Sequence, residues 1–553
     1  MSAQRPQKNE IYTLKIEEIN NLGAGVSHLS DGMVVFVNGA VTGDVVEVKL
    51  IKVNKTWCAA RLEKIIEPSP IRLSESFCSA PLSCGGCVYR HVTYEHELEL
   101  KKSYVKHAFI KAGLPEVEVE DVLTTGQIMG YRNKAQYPVG SAKDGITAGF
   151  YAGKTHNIVK ADNCSLQPAI FGEILRFVCD FATKNKISAY DEESGKGLLR
   201  HVYLRQGKNT EQIMLCLVLN GESLPCETDF IKQVMNKFPQ IKSIMLNVNK
   251  KNTNVVLGRD FRCIYGNPYI EDVLCGKRFR ISAGSFYQVN HDGCELLYRT
   301  ALEKAEFEGG ETVYDLYCGI GTIGLSMSDK VGRIVGIEIV DEAAECARLN
   351  AKLNGVENAF YFCGDASSAE KMLDSAKAEL GSIIPDAVIL DPPRKGSTPE
   401  LLEYISRLGV EKILYISCDP DTLARDCAIL SHLGYSIGAV TPVDMFPRTG
   451  HVETVVLLSR KDVYERIKFD VNVEDLQGRA SSTATYSEIK AYILEKYGLK
   501  VTSLNIGQIK DKCGFEKREN YNKGKEGHRV PNCTPEKEEA IMDAFRHFGM
   551  LRD

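Results

Sequence analysis

The chain has 553 residues, of which 44% are hydrophobic and 25% charged, with a net charge of −5; that length exceeds one ordinary core and predicts several domains. The opening MSAQRPQKNE has no apolar leader and no stretch is apolar enough to span a bilayer, so the expectation is a cytoplasmic protein rather than a secreted or membrane one. The 18 cysteines spread along such a chain read as reduced thiols, and the charge balance leaves any nucleic-acid contact to local patches.

Residues 1–68 read as all-β. EIYTLKIEEI, MVVFVN and DVVEVKLIKV alternate apolar and polar residues, and glycine-bearing turns (NNLGAG, NGAVTGD) separate them. Five short strands in this span predict a small OB-like barrel. EPSPIR follows as a linker.

Residues 73–285 predict an α+β domain. Strand-like runs (IMLCLVLN, KSIMLNVN, TNVVLG) alternate with helical ones (AIFGEILRFVCDFATKN, TDFIKQVMNKF), and a charged helix covers YEHELELKKSYVKHAFIKAG. FCSAPLSCGGCVYR sets Cys78, Cys84 and Cys87 at C-x5-C-x2-C, with Cys164 far downstream. Zinc commonly takes two close pairs, whereas three thiols and a remote fourth suit an iron–sulfur cluster. GYRNKAQYPV and LLRHVYLR mix bases with aromatics; Arg132, Asn133 and Lys134 are candidates for RNA contact or for lining a base pocket.

Residues 286–461 alternate strand and helix, the pattern of a Rossmann-like, doubly wound sheet that binds ligands beyond its strand ends. DLYCGIGTIG places Gly319 and Gly321 in a tight turn after a strand, and Glu338 ends the next strand, where an acid accepts ribose hydroxyls. The loop lacks a P-loop ending; Asp315 before the glycines resembles class I S-adenosylmethionine-dependent methyltransferases, with a nicotinamide cofactor as the competitor. VILDPPRKG ends a strand with Asp391 and Arg394, and ISCDP ends the next with Cys418. A uracil ring needs a thiolate at C6 before C5 attacks a methyl group, then a base to take the C5 proton. Cys418 is the candidate nucleophile; Glu453, in GHVETVVLLS, is the candidate base, with Asp419 as a rival. Residues 475–553 form a small α-rich extension with helices over YSEIKAYILEKYG and TPEKEEAIMDAFRHFG; RASSTAT precedes it as a connector, and a basic stretch at 513–529 interleaves Phe515 and Tyr521.

Together SAGSFYQVN, DLYCGIGTIG, GIEIV, ILDPPRKG, ISCDP and GHVETVVLL resemble the RNA uracil-5-methyltransferase family. The resemblance implies Cys418 as nucleophile, Glu453 as proton acceptor, and Gln288, Tyr317, Glu338 and Asp391 as S-adenosylmethionine contacts. Its ribosomal RNA members carry a TRAM (OB-like) domain and a [4Fe–4S] cluster, which implies a cluster on Cys78, Cys84, Cys87 and Cys164 and 23S ribosomal RNA as partner. The expectation is a monomer with no protein or membrane partner. The alternatives are a transfer RNA T-loop substrate and a non-catalytic RNA-binding protein on the same fold.

Overall fold

The computed structural model describes residues 5–81, 83–153, 155–161, 163–365, 371, 373–381, 384–461, 486–513, 533–548 and 550. RASSTAT and all of the basic stretch after Cys513 lie outside them. The chain divides into two units, 1–465 and 466–553.

The first unit opens with β1 (Ile11–Lys15), β2 (Glu18–Ile19), β3 (Ala24–His28), β4 (Val34–Asn38), β5 (Val45–Val53) and β6 (Trp57–Glu67), hydrogen-bonded in the order β1-β5-β6-β4-β3-β2. Alternation in β4 and β5 turns Val35, Val37, Val46, Val48 and Leu50 into one core. Six strands replace the expected five. The β5–β6 ladder slips register at three places, bends there, and lets two long strands curl over the core.

Helix α1 (Tyr94–Lys111) follows. β7 (Lys134–Ala142), β8 (Gly145–Tyr151), β9 (Ile158–Lys160), α2 (Ala169–Lys184), β10 (Leu199–Gln206), β11 (Ile213–Leu219), α3 (Glu227–Lys237), β12 (Ile241–Val248) and β13 (Asp260–Gly266) then build a seven-stranded sheet, ordered β13-β12-β11-β10-β7-β8-β9. TNVVLG is not a strand: the buried Asn249 amide donates to the Val255 and Val256 carbonyls and folds the segment back, leaving Val255 exposed. YRNKAQYPV and LLRHVYLR supply the paired strands β7 and β10.

A hairpin, β14 (Tyr269–Leu274) with β15 (Lys277–Ser282), leads to α4 (His291–Ala305), whose N-terminus Asn290 caps by accepting from Gly293 N. The third sheet holds β16 (Thr312–Leu316), β17 (Arg333–Glu338), β18 (Ala359–Cys363), β19 (Ala387–Leu390), β20 (Lys412–Ser417), β21 (Tyr435–Ile437), β22 (Thr441–Val443) and β23 (Glu453–Arg460). Its order is β18-β17-β16-β19-β20-β23-β21, with β22 also paired to β23. β16 to β20 run parallel, β23 antiparallel to β20. α5 (Thr322–Ser326), α6 (Asp341–Leu353), α7 (Asp374–Leu380), α8 (Pro399–Leu408) and α9 (Pro420–His432) connect the strands. The order reverses between β16 and β19, so the crevice lies at their carboxyl ends.

The second unit packs α10 (Tyr486–Tyr497), α11 (Ser503–Lys512) and α12 (Pro535–His547) around Ile489, Ile493, Ile506, Ile541 and Phe545. Two of these helices match the sequence expectation; α11 is additional. Among the described residues no helix is long and apolar enough to cross a membrane.

Candidate active site

Three consecutive positions in the sheet order deliver acids and a thiol to one end of the crevice. Asp391 follows β19, Cys418 follows β20, and Glu453 begins β23. The β20–β23 ladder pairs Ile416 with Val455 and Ser417 with Thr454; one step further stand Cys418 and Glu453. Cys418 lies in the bend just past this ladder, close enough for the Glu453 carboxyl to act on its thiol. Glu453 is 3% exposed. Burial, then Asp391, pushes its carboxyl up to about 8, and Arg394 pulls it down. Burial likewise raises Asp391 to about 7. For Cys418, burial and then the Glu453 and Asp391 carboxylates raise the thiol to about 11, against the Arg394 guanidinium. Cys418 and Glu453 thus both respond to the charges of Asp391 and Arg394.

Asp419 does different work. Its carboxylate accepts from Thr422 N at 3.1 Å and caps α9, while its backbone is tied to the Ser417 hydroxyl. A capping carboxylate is committed to the helix end, which weakens its claim as the base.

Cys418 opens into a cavity of about 570 Å³. Arg132, Arg394 and His451 share its lining, and Arg394 lies 3.4 Å from the His451 ring nitrogen. Burial and then the charges of Arg394, Arg132 and Lys101 lower His451, against the Asp419 carboxylate. The same cavity is lined by Cys78, Cys84, Cys87 and Cys164. Burial, then Cys164, Cys78 and Cys84, raises the Cys87 thiol to about 12. Among the described residues no three His, Cys, Asp or Glu side chains converge as a site for a metal ion. Arg90 organises this loop: its buried guanidinium donates to the carbonyls of Cys78, Ala80 and Pro81 and to the Ser76 hydroxyl.

The glycine loop sits at the end of β16. Tyr317, Gly319 and Gly321 all have left-handed φ, 66°, 55° and 82°. For Tyr317 that is local strain, of the kind held at ligand loops. A Cβ on Gly319 would meet nothing, so space is open there. Glu338 accepts from Gly319 N and Val340 N, and beside it Ile339 is 61% exposed. An acid next to an apolar shelf and an open glycine fits an adenosine: ribose on the carboxylate, base on the shelf. Asp315 is buried, accepts from Gly324 N with one oxygen and has no partner for the other; burial raises it to about 7.

Gln288 is buried, and its carbonyl accepts from the Asn133 amide. Of the three RNA candidates, Arg132 reaches the cavity, whereas Asn133 braces the Gln288 segment from within the core. Lys134 is half-buried, and burial, then Arg205 and Arg132, lowers it to about 8.

Sequence reasoning missed how the loop before Glu453 is held. Asn290 donates to the Met445 carbonyl, Lys101 to that of Phe446, Tyr131 to that of Pro447 and Tyr89 N to that of Arg448. Beneath it Lys101 joins Glu97 and Asp444 at 2.8 and 2.7 Å, and Arg448 joins Glu97 at 3.3 Å; all four are buried. The only sequence signal was the density of charge on α1, which reads equally as a solvated face.

A family model described as tRNA (Uracil-5-)-methyltransferase matches residues 227–461, and a TRAM domain model matches residues 5–62. An uncharacterized RNA methyltransferase of Clostridium acetobutylicum is 40% identical over 460 residues, covering 82% of this chain and 98% of that protein. One of Bacillus cereus is 41% identical over 455 residues, covering 82% and 97%. The solved tRNA (uracil-54, C5)-methyltransferase of Pyrococcus abyssi, in complex with S-adenosyl-L-homocysteine, is similar with a TM-score of 0.65 and 29% identity, over 81% of this chain and all of that one.

Proposed function

The chain belongs to the RNA uracil-5-methyltransferase family and is an S-adenosylmethionine-dependent RNA methyltransferase, and from that premise we propose that it methylates C5 of a uridine in 23S ribosomal RNA, with Cys418 as nucleophile and Glu453 as base. The observation that carries the assignment is that Cys418 follows β20 just past the β20–β23 ladder, opens into a cavity, and has its thiol raised by the buried Glu453 carboxyl that begins β23.

S-adenosylmethionine, when bound, supplies a methyl group on a positively charged sulfur. Gln288, Tyr317, Gly319, Gly321, Glu338 and Asp391 are the residues that would hold it. The Cys418 thiolate adds to C6 of the uracil, and the ring then carries electron density at C5 toward that methyl. The Glu453 carboxylate takes the C5 proton; the electrons of that C–H bond restore the C5–C6 double bond and expel the Cys418 thiolate. Arg394 and His451 line the same cavity wall and offer polar groups to a base that enters it. The target uridine must leave its stack to reach the thiol.

Cys78, Cys84, Cys87 and Cys164 would hold a [4Fe–4S] cluster, whose contribution is to cross-link the cavity wall. This quartet beside an N-terminal TRAM domain supports the ribosomal substrate. The similarity to a tRNA (uracil-54, C5)-methyltransferase of Pyrococcus abyssi favours the second reading, a transfer RNA uridine. Mapping 5-methyluridine in both RNAs from a strain lacking the gene decides between them. Loss from 23S ribosomal RNA is expected; loss confined to transfer RNA overturns the first reading.

A further inference from the structure

The turn between β2 and β3 raises one apolar side chain at the cavity of Cys418. Leu22 is 75% exposed, and among the exposed large hydrophobics of the described residues it is the one that lines this cavity.

The turn carrying it is rigid. The Asn20 carboxamide oxygen accepts from Leu22 N and Ala24 N, both at 3.0 Å, and the Asn20 carbonyl accepts from Gly23 N at 2.9 Å. Gly23 has φ 76°, and a Cβ there would lie 2.6 Å from Val88 in the cysteine loop. On the other side the Asn21 carbonyl packs on Gly450, where a Cβ would lie 2.0 Å away. The turn is therefore wedged between the cysteine loop and the loop leading to Glu453, and only the Leu22 tip is free. Arg132, Lys160 and Arg394 line the same cavity and match a phosphate backbone in charge.

We propose that Leu22 is the wedge that fills the stack vacated by the target uridine when it enters the cavity of Cys418. Apolar wedges between bases offset the loss of stacking in flipped or kinked nucleic acids. A fixed turn suits this role, because a mobile one would have to be ordered at the moment of binding. The proposal rests on Cys418 being the nucleophile of this cavity.

The test uses the full chain and 23S ribosomal and transfer RNA transcribed in vitro. The transcript that wild type methylates is compared, folded in magnesium, with a short unstructured strand carrying the same uridine. Leu22→Ala should lower kcat/KM on the folded transcript about tenfold or more and stay within about twofold of wild type on the strand; Leu22→Met should retain both activities. No loss on the folded transcript, or equal loss on both RNAs, overturns the wedge. Cys418→Ala separates the two readings: continued methylation of both RNAs would remove the nucleophile assignment, whatever Leu22 does.

Discussion

Cys418 and Glu453 each lie one residue past Ser417 and Thr454, the last pair of the β20–β23 ladder, and Glu453 raises the Cys418 thiol. A main-chain ladder, rather than a side-chain network, brings the proposed nucleophile and base together. The Thr454 hydroxyl donates to the Ser417 carbonyl at 3.0 Å and fastens the ladder at this end.

Cys418→Ala should abolish methyl transfer while S-adenosylmethionine binding, measured by calorimetry, persists. Glu453→Gln should accumulate a covalent protein–RNA adduct on denaturing gels, because elimination stalls. Asp419→Ala should form no adduct and should lower stability by about 1 kcal/mol through loss of the α9 cap. An adduct with Asp419→Ala and none with Glu453→Gln would exchange their roles.

The thiol itself reports the surrounding charges. With Cys418 raised to about 11, alkylation of its peptide, followed by mass spectrometry, should climb steeply up to that pH. Glu453→Gln removes a negative charge that opposes the thiolate, so its alkylation curve should move to lower pH. Arg394→Ala removes the favourable charge and should move it higher. Shifts of the same sign in both variants would contradict the electrostatic arrangement.

Asp315, Asp391 and Glu453 are raised to about 7, 7 and 8 by burial. Folded values above the unfolded ones mean that these acids contribute stability that is fully present below about pH 4 and lost as pH rises through 7 to 8. The ligand-free protein should therefore melt at lower temperature at pH 8.5 than at pH 6.5, and Glu453→Gln should flatten the slope. An unchanged slope in the variant would show that Glu453 ionises without cost.

Anaerobically purified protein should be brown and carry iron, and Cys87→Ala should lose both. Arg90→Ala removes four hydrogen bonds from the cysteine loop and should give lower iron content or faster bleaching in air. Stoichiometric zinc without iron would refute the cluster.

Lys101→Met leaves the buried Glu97 and Asp444 carboxylates without their shared cation. The expected loss is about 3–5 kcal/mol, read by denaturant unfolding. A loss under about 1 kcal/mol would mean that the pair protonates and relaxes instead.

The glycine loop, Glu338, Asp391 and Cys418 were legible because strand-ending motifs are local: a short apolar run, a turn and a polar residue announce the ligand end of a parallel sheet. The TNVVLG segment misled for the opposite reason. Its β-branched residues favour a strand, but the Asn249 side chain captures its carbonyls and wins over propensity.

The sequence by itself determined the order of motifs and the class of sheet, since these depend on spacing along the chain, and it singled out Cys418 and the cysteine quartet as candidates. Tertiary structure alone decided that Cys418 shares a cavity with the cysteine quartet and with Leu22, that Asp419 is a cap, and that Lys101 of α1 holds the loop before Glu453. Apart from the Asp419 cap, which is a local contact with Thr422, those relationships join residues far apart in the chain, and their partners are chosen by packing and by the need to satisfy buried charge. No local pattern encodes either.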